Sequence, residues 1–259
     1  MGSSYTFGEG DIASRRLGLL SEVFESTSRE FLAEAVDFRP EVALDLGCGP
    51  GHTTRLVAEV LEPDLTIGVE RSAAFLSEAR AASREGVAFI EGDVTDMPLP
   101  AADVIFVRFL LGHLPLPEKI VAKWTKKLNP GGLLLLEEVE EIRTREPTLR
   151  RYLDIVSAML AHHGSELCVG PRLDAMLEGV TRTSSLEPTL GEAARMFSMN
   201  LATWREDEFI RETYAGHEMD DLEASLLGLT GSRTRGDIVW RLRRIVIERD
   251  GNPSPRLHG

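Results

Sequence analysis

Short apolar runs alternate with longer segments whose apolar positions recur every three or four residues, from residue 11 to about residue 140. The short runs are typical of buried strands, and the longer segments are typical of helices with one apolar face. The predicted strands lie at residues 42–46, 65–70, 87–93, 103–109 and 133–139. The predicted helices lie at residues 11–35, 53–61, 72–83 and 117–128, the last closed by a turn at 129–132. This alternation predicts a parallel sheet covered by helices on both faces.

The pattern weakens after residue 140. Helices are predicted at residues 148–163 and 171–177, mostly helical structure at 196–229, and strands at 184–191 and 237–249. We therefore expect one domain with a helical insertion before the last strand, and two domains that meet near residue 140 are the alternative. The expected parts are N-terminal cap helices at 1–40, a core at 41–140, a second half at 141–250 and a tail at 251–259, with residues 1–250 forming the domain.

Composition narrows the class of partner. The chain of 259 residues has 42 acidic and 29 basic side chains, for a formal net charge of −13. Such a charge is repelled by phosphate backbones and anionic lipid surfaces, so we expect no nucleic acid and no membrane partner. The two cysteines, Cys48 and Cys168, do not make a disulfide framework. No apolar run approaches the roughly 20 residues of a membrane span, and we expect a cytoplasmic protein.

The segment VALDLGCGPGHTT carries glycines at every second position between a strand and a helix. A tight turn alone would account for one of them, whereas Gly47, Gly49 and Gly51 together also allow a ligand to approach the backbone. Dinucleotide-binding loops have the spacing G-x-G-x-x-G and place a pyrophosphate on the helix N-terminus. Here Pro50 lacks an N–H and Asp45 would repel a pyrophosphate. The acid would instead suit a ligand with a positive ammonium or sulfonium group.

Acidic residues also close the next two predicted strands. Glu70 lies about twenty residues past the glycines, where a carboxylate can accept both hydroxyls of an adenosine ribose. Asp93 follows the third strand and could accept a hydrogen bond from an adenine amino group. One such acid is often only a solvated strand end, but three successive strand ends are where open parallel sheets bind ligands. A ligand with a cationic end, a ribose and an adenine matches S-adenosylmethionine (SAM).

At these residues the chain resembles the class I SAM-dependent methyltransferases of the small-molecule type. The matching motifs cover roughly residues 40–140 in the family's order, and they read VALDLGCGPG, GVERS, EGDVTDMPL, DVIFVRFLLGHL and LNPGGLLLLEE. The resemblance implies a Rossmann-like, doubly wound sheet of seven strands that is mostly parallel, with the last strand antiparallel. It also implies that the core at 41–140 binds the cofactor and that the half at 141–250 shapes substrate choice.

The same resemblance implies the cofactor contacts. Asp45 and the first two loop glycines would hold the methionine part of SAM, and Glu70, where the family often has Asp, would hold the ribose. Asp93 and Val94 would hold the adenine. The full set of predicted cofactor-binding residues is Asp45, Gly47, Cys48, Gly49, Gly51, Glu70, Arg71, Asp93, Val94 and Arg108.

Three residues are candidates for catalysis. Arg108 closes an apolar strand and would bind a carboxylate of the substrate or of the cofactor, although a surface ion pair is an equal alternative. His113, five residues further on, would act as a base or an orienting donor, or is simply a packed histidine. Glu137 and Glu138 end the fifth strand, and one of them, with Glu138 as the candidate, would contact a substrate amine or hydroxyl.

These features predict an enzyme that transfers a methyl group from SAM to an O or N atom of a small organic substrate, with S-adenosylhomocysteine (SAH) as the product. Such an in-line displacement needs alignment and exclusion of water, and a base only where the acceptor carries a proton. Tyr5 and Phe7 would form part of an N-terminal lid. We find no cluster of metal ligands in the sequence. The alternatives are methyl transfer to a protein or peptide, and a SAM-binding protein of this fold that transfers no methyl group; a homodimer is left open.

Overall fold

A seven-stranded sheet runs through the computed structural model, which describes residues 10–250. The strands are β1 (Val42–Leu46), β2 (Leu65–Glu70), β3 (Val87–Glu91), β4 (Ala102–Arg108), β5 (Leu128–Thr144), β6 (Val180–Leu186) and β7 (Ile238–Glu248). Their order in the sheet is β3-β2-β1-β4-β5-β7-β6. Strands β1 to β5 pair in parallel, and β7 is antiparallel to both of its neighbours. The predicted mostly parallel sheet with an antiparallel last strand is confirmed.

Nine α-helices and a short 3-10 helix, Leu111–His113, are found within residues 10–250, and the α-helices alternate with the strands in the first half of the chain. They are α1 (Asp11–Ala35), α2 (His52–Leu61), α3 (Ala73–Ala81), α4 (Pro117–Thr125), α5 (Pro147–His162), α6 (Gly170–Met176), α7 (Leu190–Trp204), α8 (Glu208–Thr213) and α9 (Gly216–Leu229). The last three form the predicted helical insertion before β7. None of the helices in the described part of the chain is long and apolar enough to cross a membrane.

The two faces of the central strands pack against different helices. Leu44 and Leu46 of β1 belong to a core cluster with residues of α4 and α6, whereas Ala43 belongs to a cluster with residues of α1 and α2. Strand β4 alternates in the same way, and its residues from Val104 to Val107 are fully buried. Strands buried on both faces are continuous apolar runs, which is why β1 and β4 are recognisable in the sequence.

Strand β5 is longer at both ends than the predicted 133–139. It begins at Leu128, so α4 ends at Thr125 and the predicted turn at 129–132 lies within the strand. Gly131 has a positive φ of 75°, and the pairing with β4 shifts register between Ala102 and Val104. The glycines therefore mark an irregularity in a strand rather than a separate turn.

Strand β6 covers Val180–Leu186 rather than the predicted 184–191. The chain turns into α7 at Leu190 because Thr189 and Glu192 form a capping box: the Thr189 hydroxyl accepts from the Glu192 amide at 3.2 Å, and the Glu192 carboxylate accepts from the Thr189 amide at 2.7 Å. The predicted lid residues Tyr5 and Phe7 and the predicted tail at 251–259 lie outside the described residues. Of the predicted cap at 1–40, the described part is the single helix α1.

Candidate active site

A cavity of about 260 Å³ opens at the carboxyl-terminal edge of the parallel strands. Its wall is formed by the glycine loop after β1, the ends of β2 to β5, and parts of α1, α5, α7 and β7. Ten of the twelve predicted site residues line it, namely Gly47, Cys48, Gly49, Glu70, Arg71, Asp93, Val94, Arg108, His113 and Glu138. Asp45 and Gly51 lie behind this wall. The sheet topology thus brings together residues that are far apart in the sequence.

The backbone conformation of the glycine loop requires glycine at three positions, independently of any ligand. Gly47, Gly49 and Gly51 have φ values of 73°, 52° and 81°, a region that side chains rarely adopt. A Cβ at Gly51 would lie 2.8 Å from the ring of Phe89, whereas a Cβ at Gly49 would meet only Leu17, at 3.5 Å. Gly51 is therefore fixed by packing, and Gly49 faces the cavity.

Glu70 binds the glycine loop directly. Its Oε2 accepts the amide of Gly49 at 3.0 Å, and its Oε1 accepts the amides of Arg71 and Ser72 at 2.8 and 2.9 Å. A loop amide that could bind a phosphate is therefore already paired with a carboxylate, and Pro50 contributes no N–H. This donor set fits a cofactor with hydroxyl groups and a positive charge, and does not fit a pyrophosphate.

Asp45 lies beneath the loop and is 1% exposed. Its Oδ2 accepts the hydroxyls of Thr53 and Thr54 at 2.6 and 2.7 Å, which fixes the first turn of α2 against β1. Burial raises the pKa of Asp45 to about 6, although the two hydroxyls and the charge of Arg108 favour the ionised form. The structure gives Asp45 a clear role in supporting the loop, and its contact with a cofactor stays a prediction.

Asp93 and Val94 form the cavity wall at the end of β3. The Asp93 Oδ1 accepts both the amide and the hydroxyl of Thr95, at 2.8 and 2.6 Å, and these bonds hold the pKa of Asp93 below its usual value. The carbonyl of Val94 accepts the indole N–H of Trp124 at 2.9 Å. Both residues are therefore held in place by side chains outside the cavity.

Arg108 belongs to a buried polar network between the sheet and α1. Its Nη1 donates to the Ser28 hydroxyl at 3.0 Å, and that hydroxyl donates to the Glu137 Oε2. Glu137 is fully buried, and its Oε1 accepts the Nε of Arg244 at 3.0 Å. Burial lowers the pKa of Arg108, and the charges of Glu137 and Asp45 oppose that shift. Arg108 is thus part of the cavity wall and not a surface ion pair.

Glu138 is 3% exposed and also lines the cavity. Its Oε1 accepts the amides of Leu110 and Leu111, both at 2.8 Å, while its Oε2 makes no hydrogen bond within residues 10–250. Burial raises the pKa of Glu138 to about 8, and the neighbouring charge of Glu137 adds to the shift. The carboxyl group is therefore fixed in position and exchanges a proton near neutral pH.

Burial also shifts the pKa values of two further predicted residues, His113 and Cys48, and each shift favours the uncharged side chain. Burial lowers the pKa of His113 to about 4, with the charges of Arg16 and Arg71 adding to the effect, so the imidazole is neutral at pH 7. Burial raises the pKa of the Cys48 thiol, which is 4% exposed and packs in a small core cluster. No group of three or more potential metal ligands occurs in the described part of the chain.

Five aromatic rings, which we call the aromatic wall, line the other half of the cavity. The ring of Phe24 meets Phe109 edge-on at 5.1 Å and Trp240 at 5.7 Å between centroids. Phe197 meets Trp240 at 5.7 Å and stacks on Tyr152 at 4.1 Å. The sequence analysis missed this wall, because its members come from α1, the end of β4, α5, α7 and β7, and no local pattern connects them.

Comparison with known proteins agrees with this geometry. Residues 44–136 match a family model described as a methyltransferase domain. A trans-aconitate 2-methyltransferase from Methylobacterium radiotolerans is 30% identical over 163 residues, which cover 63% of this chain and 62% of the relative. The chain spans 46% and 53% of two further enzymes of that name, from Methylobacterium nodulans and an Acidovorax species.

Solved structures show the same fold at low sequence identity. Coclaurine N-methyltransferase, solved with N-methylheliamine and SAH, aligns with a TM-score of 0.50 and 16% identity over 95% of this chain and 77% of that protein. The (4+2)-cyclase SpnF aligns with a TM-score of 0.54 and 17% identity over 96% of this chain and 97% of that protein. Because a cyclase shares the fold, the fold alone does not establish methyl transfer. In its sheet topology, its glycine loop and its matched methyltransferase domain, the chain is similar to class I SAM-dependent methyltransferases.

Proposed function

We propose that this protein transfers a methyl group from SAM to an O or N atom of a small organic molecule and releases SAH. The observation that carries the proposal is the shape of the cavity, which joins the glycine loop and its carboxylates to the aromatic wall. A cofactor on the loop and an acceptor beside the rings would meet in one enclosed space. The methyltransferase domain at residues 44–136 supports the same reaction.

The residues at the ends of β1 to β3 would hold the cofactor. The backbone of the glycine loop would lie against the methionine part, with the carboxylate of Asp45 supplying negative charge from beneath. Glu70 uses three acceptor sites for amides and retains one of its about four for a ribose hydroxyl. Asp93 and Val94 would contact the adenine. When bound, SAM supplies a methyl group on a positively charged sulfur.

Residues at the ends of β4 and β5 would act on the acceptor. Glu138 would hold at its Oε2 the proton of an acceptor O–H or N–H group, because its Oε1 is already bound by two amides. His113, neutral at pH 7, would orient the acceptor by a hydrogen bond. Arg108 would bind a carboxylate, most simply that of the cofactor, while Ser28 holds its guanidinium.

Transfer of a labelled methyl group from SAM tests the proposal and its alternatives. We expect label in an organic-extractable product when the protein is incubated with a panel of small hydroxyl and amine compounds. Label that stays with added protein or peptide would instead support a protein methyltransferase. Tight binding of SAM without transfer to any acceptor would support a protein of this fold that transfers no methyl group.

A matched pair of variants controls this assay. Glu70 and Glu91 face each other as register partners on β2 and β3, but only Glu70 lines the cavity. We expect Glu70→Gln to reduce transfer at limiting SAM, because it removes a charged acceptor, and Glu91→Gln to have no effect. Equal activity of the two variants would contradict the assigned ribose site.

We also propose that the protein acts in the cytoplasm. The support is that both cysteines, Cys48 and Cys168, are free thiols in the structure. Free thiols are typical of proteins in reducing compartments. Detection of the protein in a cytoplasmic fraction by an antibody would test this, and recovery only from a secreted fraction would contradict it.

A further inference from the structure

The half of the cavity beyond the glycine loop is strongly apolar. Besides the five rings of the aromatic wall, its lining includes aliphatic and thioether side chains, namely Leu20, Val139, Ile142, Leu153, Leu167 and Met196. The rings contact each other in an unbroken series from Phe109 through Phe24, Trp240 and Phe197 to Tyr152. Aromatic side chains stabilise a flat apolar ligand by stacked and edge-on contacts. The wall therefore suits a molecule with aromatic rings.

The charged groups around this half do not favour an acceptor with several carboxylates. Glu70, Arg71 and Asp93 belong to the loop side of the cavity, at the ends of β2 and β3. The remaining charged lining residues are two guanidiniums, of Arg16 and Arg108, and two carboxyl groups, of Glu138 and Glu166. Because Glu138 is mostly protonated at pH 7, these residues supply two guanidiniums and one carboxylate. Of these, Arg108 already donates to Ser28, and the Glu166 carboxylate lies 3.5 Å from Arg172. Burying several carboxylates against the rings would leave them without enough cationic partners.

Polar atoms are available at two places around the rings. Glu138 lies on β5, and its two amide donors directly follow Phe109 in the chain. Its Oε2, which has no hydrogen bond within residues 10–250, therefore belongs to the same region as that ring. At the other end, the Asn200 Nδ2 donates to the Tyr152 Oη at 2.7 Å, and the Asn200 Oδ1 is buried with no hydrogen-bond partner within the described residues. Both Tyr152 and Asn200 line the cavity.

We propose that the methyl acceptor is a flat aromatic molecule without carboxylates, whose rings pack on the aromatic wall and whose hydroxyl group forms a hydrogen bond with the Glu138 Oε2. This inference rests on the proposed function, because it assigns the acceptor of that reaction. It also separates this chain from its relatives named as trans-aconitate 2-methyltransferases, whose name specifies a carboxylic acid as the substrate. The half of the chain that forms most of the wall follows residue 136, where the match to the family model ends.

Calorimetric titration of the full chain with two kinds of probe tests the inference. SAH is titrated first, and the SAH-saturated protein is then titrated with 2-naphthol or with trans-aconitate. We expect SAH to bind, 2-naphthol to bind to the SAH complex, and trans-aconitate to bind at least tenfold more weakly than 2-naphthol. Because SAH binding is measured separately, the readout does not depend on turnover.

Variants of the wall provide the matched control. Phe197 and Phe209 pack in the same core cluster, but only Phe197 lines the cavity. We expect Phe197→Leu to weaken 2-naphthol by about tenfold, the loss of one or two ring contacts, and Phe209→Leu to leave it unchanged. SAH affinity should stay the same in both, which shows that they fold. Trp240→Phe is the milder second variant should Phe197→Leu fail to bind SAH.

Glu138 is tested with a pair of ligands that differ in one group. At pH 9, where Glu138 is mostly ionised, Glu138→Gln should weaken binding of 2-naphthol, which donates its hydroxyl proton to the carboxylate. It should leave binding of 2-methoxynaphthalene unchanged, since that compound has no proton to donate. Tighter binding of trans-aconitate than of 2-naphthol, no binding of 2-naphthol to the SAH complex, or equal effects of Phe197→Leu and Phe209→Leu would each overturn the inference. Absence of SAH binding would overturn the proposed function itself, and the acceptor assignment with it.

Discussion

The carboxylates at the strand ends are held by the chain in three different ways. Asp45 accepts two threonine hydroxyls from α2, Glu70 accepts three amides that include one from the glycine loop, and Glu138 accepts two amides that follow β4. The sequence predicts that an acid stands at each strand end, because the strands themselves are recognisable. It does not predict the partners, since these depend on how the loops approach one another in space.

Alanine substitutions at two glycines of the loop are expected to differ in their effects on SAM affinity and on stability. Gly49→Ala places a methyl group on the cavity side, so we expect SAM affinity to fall by at least tenfold with a stability loss of about 1–2 kcal/mol for the left-handed backbone. Gly51→Ala has the same backbone cost and adds a clash with Phe89. We expect it to lose clearly more stability in urea unfolding. The reverse ranking of the two stabilities would contradict the packing described here.

The proton held by Glu138 predicts a pH dependence of stability. Its pKa is about 8 in the folded protein and about 4.3 in an unfolded chain, so the folded state holds a proton that the unfolded state releases. The stabilising contribution is complete below about pH 4 and is lost as the pH rises through 8. Between pH 6 and pH 9, we expect the free energy of unfolding to fall by about 2–3 kcal/mol less in the Glu138→Gln variant than in the unchanged protein. Urea unfolding of both proteins at the two pH values measures it, and identical pH dependence would exclude the raised pKa.

Among the elements, β5 was only partly predicted from the sequence. Its apolar part at 133–139 is recognisable, but the polar residues that follow give no strand signal. They pair with β7, where Glu140 lies 3.5 Å from Arg241 and 3.2 Å from Arg243 in ion pairs across the strands. Opposite charges on neighbouring strands stabilise a sheet, and this partner is more than ninety residues away in the chain. The extension matters for function, because it places Ile142 on the cavity wall.

Strand β6 was misplaced for a different reason. Its sequence, VTRTSSL, is largely exposed and has no apolar face, as is common for a strand at the edge of a sheet. The signal that was available lay just after it, in the Thr189 and Glu192 capping box that marks the start of α7. Recognition of that box would have ended the strand before residue 189.

Helix α1 is joined to the sheet by the buried pair of Glu137 and Arg244, and this predicts a large stability effect. Arg244 is 5% exposed and also donates to the carbonyl of Thr27 on α1. Glu137→Ala removes the buried carboxylate from Arg244 and leaves the exposed Glu30, at 3.5 Å, as its acidic partner, so we expect a loss of about 3 kcal/mol in chemical unfolding. Arg29→Ala, on the same helix, breaks exposed pairs with Glu25 of α1 and Glu59 of α2; it is the control and should change nothing measurable. Similar losses for both variants would contradict the importance of the buried pair.

In the whole molecule, the two halves of the cavity differ in how far the sequence predicts them. The cofactor half follows from local motifs, because each binding segment is one strand end and the loop after it. The acceptor half is assembled from five separate elements, and three of its five rings, those of Tyr152, Phe197 and Trp240, come from the second half of the chain. Trp240 illustrates the difference, since its sequence context shows a strand but gives no indication of a cavity.

The central claim is that the glycine loop and its carboxylates bind a sulfonium cofactor and not a dinucleotide. Calorimetric titration of the purified protein with SAM, SAH and NAD tests it most directly. We predict micromolar binding of SAM and SAH and no binding of NAD, because Glu70 already occupies the loop amide of Gly49 that a pyrophosphate would need. Binding of NAD, or no binding of SAM, would contradict the account and would reopen the dinucleotide interpretation of the loop.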